Sequence, residues 1–261
     1  MNVVVCIKQV PNTTQVKINP ETNTLIREGV ESIINPFDTY AIEEGIRLKE
    51  KHGGKVTVIT MGPPQAEIAL REAISLGCDE AILVSDRRFA GSDTWATSYV
   101  LSQAVKKIKD FDIIICGKQA SDGDTAQVGP GVATFLDIPQ VTYVKKIEKI
   151  EGKEARVERM TEEGFEIIDA PLPFLITVVK EINEPRLPSL KGKMRAKSAE
   201  VKKWNADDME CDYDKLGLDA SPTRVMKIFT PTPRKGGVIL KGEVDEIADQ
   251  LATEIKKEII G

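Results

Sequence analysis

The residues best suited to chemistry in this 261-residue chain form one run of small and polar side chains: Gly117, Lys118, Gln119, Ala120, Ser121, Asp122, Gly123, Asp124, Thr125, Ala126, Gln127, Val128, Gly129 and Pro130. The run follows the apolar stretch Ile113-Ile114-Ile115-Cys116 and leads into a helix predicted to end near Leu136. Small residues let a backbone approach a ligand closely, and free N–H groups at a helix start favour phosphate. Thr125 and Gln127 can add side-chain hydrogen bonds. Asp122 and Asp124 oppose a phosphate unless they point away, cap the helix or hold a ribose. Pro130 is awkward, because a helix starting at Thr125 would place it beyond the first turn. An ordinary glycine-rich connection between strand and helix has the same composition, so the run alone leaves both readings open.

Other segments are expected at the same sheet edge: Cys6-Ile7-Lys8, then Asn35-Pro36-Phe37-Asp38, then Met61-Gly62-Pro63. A loop after the first strand, a helix start and a Gly-Pro turn are material for an adenine pocket. The pattern is neither G-x-G-x-x-G after the first strand nor G-x-x-x-x-G-K-[ST], which disfavours the standard dinucleotide and P-loop motifs. Acid–base or nucleophilic catalysis has little support. The sole histidine, His52, sits beside Gly53 at a helix end. No G-x-S-x-G, H-E-x-x-H or Cys/His pairing is present. Chemistry here belongs to a bound cofactor, and no catalytic residue is assigned.

The elements that must position these residues alternate. Val3 to Ile7 is a β-branched run and reads as a buried strand. Asn35 is placed to cap a helix, Pro36 suits its first position, and Asp38 lies where a carboxylate can bond back. Ala41, Ile42, Gly45, Ile46 and Leu48 continue it, with Gly53 as the stop. Strands are expected at 56–60, 81–84 and 113–116, and helices at 65–76 and 93–109. Such alternation implies an α/β parallel sheet with helices on both faces and ligands at the carboxyl ends of its strands. After Pro139 the character changes. Residues 141–147, 156–160, 165–169 and 173–179 read as strands extending the sheet in antiparallel fashion, with a hairpin turn at 161–164.

From Asn183 to about Leu240 the chain looks irregular and proline-bearing, and is predicted to be an arm that packs on another polypeptide. A terminal helix is expected over 242–260. The division is therefore a nucleotide-binding domain, 1–182, and a C-terminal arm, 183–261. The basic residues Arg186, Lys191, Lys193, Arg195, Lys197, Lys202 and Lys203 suit docking to an acidic protein. They do not suit nucleic acid, since no aromatics interleave and the net charge is −5. Cys6, Cys78, Cys116 and Cys211 form no C-x-x-C pair and read as buried thiols of a reducing compartment. No signal peptide and no apolar run of about 20 residues is visible, so a cytoplasmic protein without membrane insertion is expected.

Four segments in the same order resemble the beta subunit of electron-transfer flavoproteins. They are Val-Val-Val-Cys-Ile-Lys-Gln-Val at the start, Asn-Pro-Phe-Asp with the following Ala-Ile-Glu-Glu-Gly-Ile-Arg-Leu-Lys-Glu, Gly-Lys-Gln-Ala-Ser-Asp-Gly-Asp-Thr, and Asn-Glu-Pro-Arg-Leu-Pro-Ser-Leu. The resemblance implies a Rossmann-like domain in which Cys6, Asn35 to Asp38, Met61 and Gly117 to Val128 surround an adenine nucleotide. That nucleotide is AMP in respiratory-type members and a second FAD in the bifurcating members of anaerobes. It also implies an alpha subunit carrying the other FAD, and places Leu190 as the anchor of a loop that docks on a flavin-dependent dehydrogenase, such as an acyl-CoA dehydrogenase. The segment Asp122 to Pro130 resembles the bifurcating branch. The AMP-binding branch has bulkier, more polar residues at the positions of Gly123, Ala126 and Val128. That branch implies FAD here, NADH as donor, and ferredoxin or flavodoxin as low-potential acceptor. Rival readings are an adenine-nucleotide hydrolase, whose phosphate loop after strand one is not matched by Lys8 to Asn12, and a non-redox nucleotide-binding module.

Overall fold

A computed structural model describes residues 1–12, 17–18, 25–26, 32–226, 237 and 239–260. Met1–Met226 forms one compact unit and Lys227–Gly261 a second. In chain order the strands are β1 (Asn2–Cys6), β2 (Gln9–Pro11), β3 (Lys17–Ile18), β4 (Leu25–Ile26), β5 (Ser32–Ile34), β6 (Lys55–Met61), β7 (Glu80–Val84), β8 (Ile113–Gly117), β9 (Gln140–Glu151), β10 (Glu154–Met160), β11 (Phe165–Pro171), β12 (Phe174–Val178) and β13 (Val201–Trp204). The helices are α1 (Pro36–His52), α2 (Glu67–Leu76), α3 (Thr94–Ile108), α4 (Val128–Leu136), α5 (Leu190–Ser198) and α6 (Val244–Ile260).

The main sheet runs β11-β10-β9-β12-β8-β1-β6-β7-β13. Its central strands are parallel, with Val5 level with Val58 on one side and Ile115 on the other. Both faces are covered, so Ile113, Ile114 and Ile115 are all fully buried. Burial of each contributes roughly 1.5–3 kcal/mol. Helices α1, α2 and α5 supply Ile42, Leu70 and Ala196 to the core on one face. Helices α3 and α4 supply Val100 and Val132 to the core on the other. From β1 the chain winds out to β6 and β7, then returns to place β8 against the opposite side of β1. The crevice at the carboxyl ends of β1 and β8 is therefore the switch point at which sheets of this kind bind ligands.

Two expectations change. The strand over 173–179 is not antiparallel: β12 lies inside the sheet, parallel to β8 and to the first residues of β9. Its core, Phe174-Leu175-Ile176, is buried, as an interior parallel strand requires. Antiparallel pairing is confined to β9, β10 and β11. Nor is the chain after Asn183 irregular up to Met226. It forms α5, and β13 adds to the sheet edge parallel to β7. Periodicity concealed α5 because its attachment is polar. Arg71 donates to the carbonyls of Ala196 and Ala199, and Arg195 to those of Ile74 and Cys78. The prolines at 231 and 233 lie outside the described residues. In the second unit α6 carries Val244, Leu251 and Ile255 exposed.

Candidate functional site

The site is assembled by Asn35, which is 1% exposed. Sequence position predicts a helix cap, yet its side chain makes no capping bond to α1. Its Nδ2 instead donates to Asp38 Oδ1 at 2.9 Å and to the Gln119 carbonyl at 2.8 Å, while its Oδ1 accepts from the Ser121 amide at 3.0 Å. One buried amide thus pins the 117–121 loop to the start of α1. Pro36 takes the first helical position, where a missing N–H costs nothing.

Asp38 also departs from its expected part. It does not bond back to Asn35's backbone; its Oδ2 accepts from the Lys8 amide at 2.7 Å. Burial pushes its carboxyl up from 3.8 to about 7, against the opposing pull of Asn35 and of the Lys8 and Gly117 amides. The residue therefore joins the ends of β1 and β8 to α1. Gly117 is required by this closeness, because a Cβ there would overlap the Asp38 carboxylate and lie 2.7 Å from the Phe37 carbonyl carbon. Cys6, the last residue of β1, is level with Cys116, the last but one of β8. Contact with Cys6, followed by burial, holds the Cys116 thiol well above its ordinary range, so it is not a nucleophile. All four cysteines are free and buried, as their scattered spacing implied.

The two acids of the loop are turned to internal partners. Asp122 forms an ion pair with Lys8 Nζ at 2.7 Å, and Asp124 accepts from the Gln119 side-chain amide. Neither caps α4, whose start at Gln127 has no capping side chain. Because α4 begins at Val128, Pro130 falls in its first turn, which removes the difficulty a start at Thr125 would have caused. Asp124 (φ 52°) and Ala126 (φ 55°) hold left-handed backbone on either side of Thr125. Such conformations cost a non-glycine residue roughly 1–2 kcal/mol each and bend the loop around its own axis. Gly123 has nothing within 4 Å of an added Cβ, so its side faces open space. The Lys118 ammonium stands 5.8 Å from the Phe37 ring centre and 5.4 Å from that of Tyr143.

Hydrogen bonds thus bring together Lys8, Asn35, Asp38 and the Gly117–Asp124 segment; Cys6 and Ile7, which precede Lys8, are buried in the cores on opposite faces of the sheet. Met61 ends β6 one strand further out, and the amide of the following Gly62 bonds the Val84 carbonyl. Leu190 stands apart as the first residue of α5, behind the Ser189 cap. The sequence placed a helix over 93–109 but did not connect its start, the start of α3, with the site. Asp93 caps that helix, and Thr94 lies 3.4 Å from Thr125, hydroxyl to hydroxyl. Asp93 is held in turn by Ser221 and Thr223, far along the chain. The Asp93-Thr94 capping pair before a helix was the available signal. The basic stretch after Arg186 is largely spent internally: Arg186 pairs with Glu43 and Glu50, Lys202 with Glu80, and Lys203 with Glu67. Among the described residues no cluster of side chains could hold a metal ion, and no helix is long and apolar enough to cross a membrane.

Residues 22–209 match the family described as the electron transfer flavoprotein domain. The chain belongs to the electron transfer flavoprotein family. It is 56% identical to an electron transfer flavoprotein subunit beta of Thermoanaerobacterium thermosaccharolyticum over 98% of both chains. It is 48% identical, over the full length of each, to the caffeyl-CoA reductase-Etf complex subunit CarD of Acetobacterium woodii. Protein FixA of Azotobacter vinelandii is 51% identical over 90% of this chain and 85% of its own. Relatives named as beta subunits match it over nearly their full length, and the role in electron transfer follows from the family.

Proposed function

We propose that this beta subunit holds FAD in the crevice between β1 and β8. With an alpha subunit carrying a second flavin, it would pass electrons from NADH to a low-potential acceptor, ferredoxin or flavodoxin, and to a flavin-dependent dehydrogenase. The observation that carries the reading is the state of the 117–128 loop. Its two carboxylates are engaged by Lys8 and Gln119, while Gly123 borders open space. The Asp122 charge that would repel a phosphate is paired with Lys8 and the Asp124 carboxylate is engaged by the Gln119 amide, and bulk that would stop the ligand after one phosphate is absent. The adenine end would lie among Cys6, Ile7, Asn35 to Asp38, Met61 and Gly62. The diphosphate would pass Thr125 to Val128 at the uncapped start of α4. A bound flavin would supply the hydride and single-electron chemistry, and the chain's own residues would orient it. The relative from Acetobacterium woodii, named as part of a caffeyl-CoA reductase complex, supports a dehydrogenase partner that handles CoA thioesters.

The segment after Asn183 would form the surface toward partners, with α6 packing on the alpha subunit and Leu190 docking on the dehydrogenase. A cytoplasmic location accords with four free thiols. The deciding measurement is the nucleotide content of the purified heterodimer. Two FAD released per heterodimer on denaturation support the proposal. One FAD and one AMP, persisting after incubation with excess FAD, refute it.

A further inference from the structure

Residues 183–188, which lead to the Ser189 cap of α5, make no backbone–backbone hydrogen bond among the described residues. Side chains hold them to α1 instead. Asn183 Nδ2 donates to the Tyr40 carbonyl and to Glu44, both at 3.0 Å, and Arg47 reaches the Glu184 carbonyl at 3.3 Å. Arg186 makes the firmest attachment. Its Nε donates to Glu43 Oε2 at 2.7 Å, its Nη1 and Nη2 to the two oxygens of Glu50 at 2.6 and 2.9 Å, and its amide to Glu43 at 3.2 Å. Glu43 is buried, which by itself would raise its carboxyl; the bonds from Arg186 and Arg47 outweigh this and hold it below its ordinary range. A guanidinium bonded to carboxylates in pairs fixes direction as well as distance. The far end is anchored separately. Ser189 accepts from the Gly192 amide, and Gly192 lies so close to α2 that a Cβ there would stand 2.1 Å from the Ser75 carbonyl oxygen. Leu187 and Leu190, 88% and 78% exposed, are carried on the short stretch between these anchors.

We propose that Arg186 is a positioning residue for partner docking, a role that rests on the docking of Leu190 given above: by clamping residues 183–188 to α1 it presets the place and direction of Leu190 before the dehydrogenase arrives. A backbone without pairing of its own samples many conformations when untethered, and ordering it on association costs affinity. The clamp removes that cost beforehand. The element it clamps to is chosen by the fold. α1 is the helix whose first turn Asn35 and Asp38 tie to Gln119 and Lys8 at the crevice, so the docking segment and the nucleotide loop are referenced to one rigid helix.

The purified heterodimer is the electron donor, and an acyl-CoA dehydrogenase that the wild type reduces is the acceptor. Transfer is followed against dehydrogenase concentration at constant ionic strength. Arg186→Gln should raise the KM for the dehydrogenase about tenfold, while kcat and flavin content stay at the wild-type level. Glu50→Gln removes only the outer bonds of the clamp at a half-exposed carboxylate, so it tests the same role without leaving Glu43 short of a partner; its KM should rise about threefold. A double-mutant cycle separates positioning from general stability. In the Leu190→Ala background both substitutions should add little to KM, because the clamp acts through the leucine. Additive effects, or a lowered melting temperature with KM unchanged, overturn the proposal. Leu190→Ala with an unchanged KM refutes the docking of Leu190 itself. A raised KM for Leu190→Ala beside unchanged values for Arg186→Gln and Glu50→Gln refutes the positioning role alone.

Discussion

Asn35→Ala should damage stability and nucleotide binding together. The amide makes two neutral hydrogen bonds, to the Gln119 carbonyl and from the Ser121 amide, and one to the Asp38 carboxylate. Neutral bonds contribute about 1 kcal/mol each and a bond to a charged group about 1.5–3. Alanine removes all three from a site that is 1% exposed. The expected loss is therefore about 3–5 kcal/mol, towards the lower figure if water enters the gap. Loss of the Asn35 donor also removes the first-ranked opposing influence on Asp38, so its carboxyl should titrate still higher than about 7. Denaturant unfolding of the purified complex at pH 7 measures the stability, and calorimetric titration with nucleotide measures the loop. Affinity should fall at least about tenfold, the equivalent of 1.4 kcal/mol. Asn35→Asp serves as control, since it keeps an acceptor for Ser121 but loses both donors and sets a second carboxylate beside Asp38. A loss below about 1 kcal/mol for Asn35→Ala with unchanged affinity would refute the view that this one amide holds the loop.

Three further outcomes follow from the same geometry. With Asp38 at about 7 in the folded chain and 3.8 as its ordinary value, the native state binds the extra proton in that window. This contribution is complete below about pH 4 and is lost as pH rises through 7, so Asp38→Asn should flatten the wild-type decline in that range; an unaltered pH profile counts against it. Gly123→Glu introduces bulk and charge into open space, so it should leave the melting temperature of the nucleotide-free chain unchanged while expelling this subunit's nucleotide and sparing the flavin of the alpha subunit. Retention of this subunit's nucleotide would show that the ligand does not pass Gly123. Leu190 is 78% exposed, so Leu190→Ala should leave melting and flavin content within error and slow electron transfer to the dehydrogenase. Normal transfer kinetics would remove it from the docking surface.

The sequence by itself determined the parallel α/β frame and the segments that meet at its carboxyl edge. Short β-branched runs such as Val3-Val4-Val5 and Ile113-Ile114-Ile115 can only be strands buried on both faces. Helix punctuation at Pro36 and Gly53 is local chemistry, and the structure keeps it. The family was legible for a related reason: its distinguishing residues lie in short contiguous stretches. Tertiary structure decided what each polar side chain does. Asn35 reads as a helix cap, but its partners Gln119 and Ser121 lie more than eighty residues away, and only the placing of β8 beside β1 brings them within reach. Asp122 looks hostile to phosphate until Lys8, from the neighbouring strand end, is seen to pair with it. α5 and β13 escaped notice because arginine-to-carbonyl bonds and pairing along β7 hold them, and neither leaves an apolar period. Hydrophobic pattern is a property of neighbours in sequence; a hydrogen bond across a sheet depends on the fold that closes the distance.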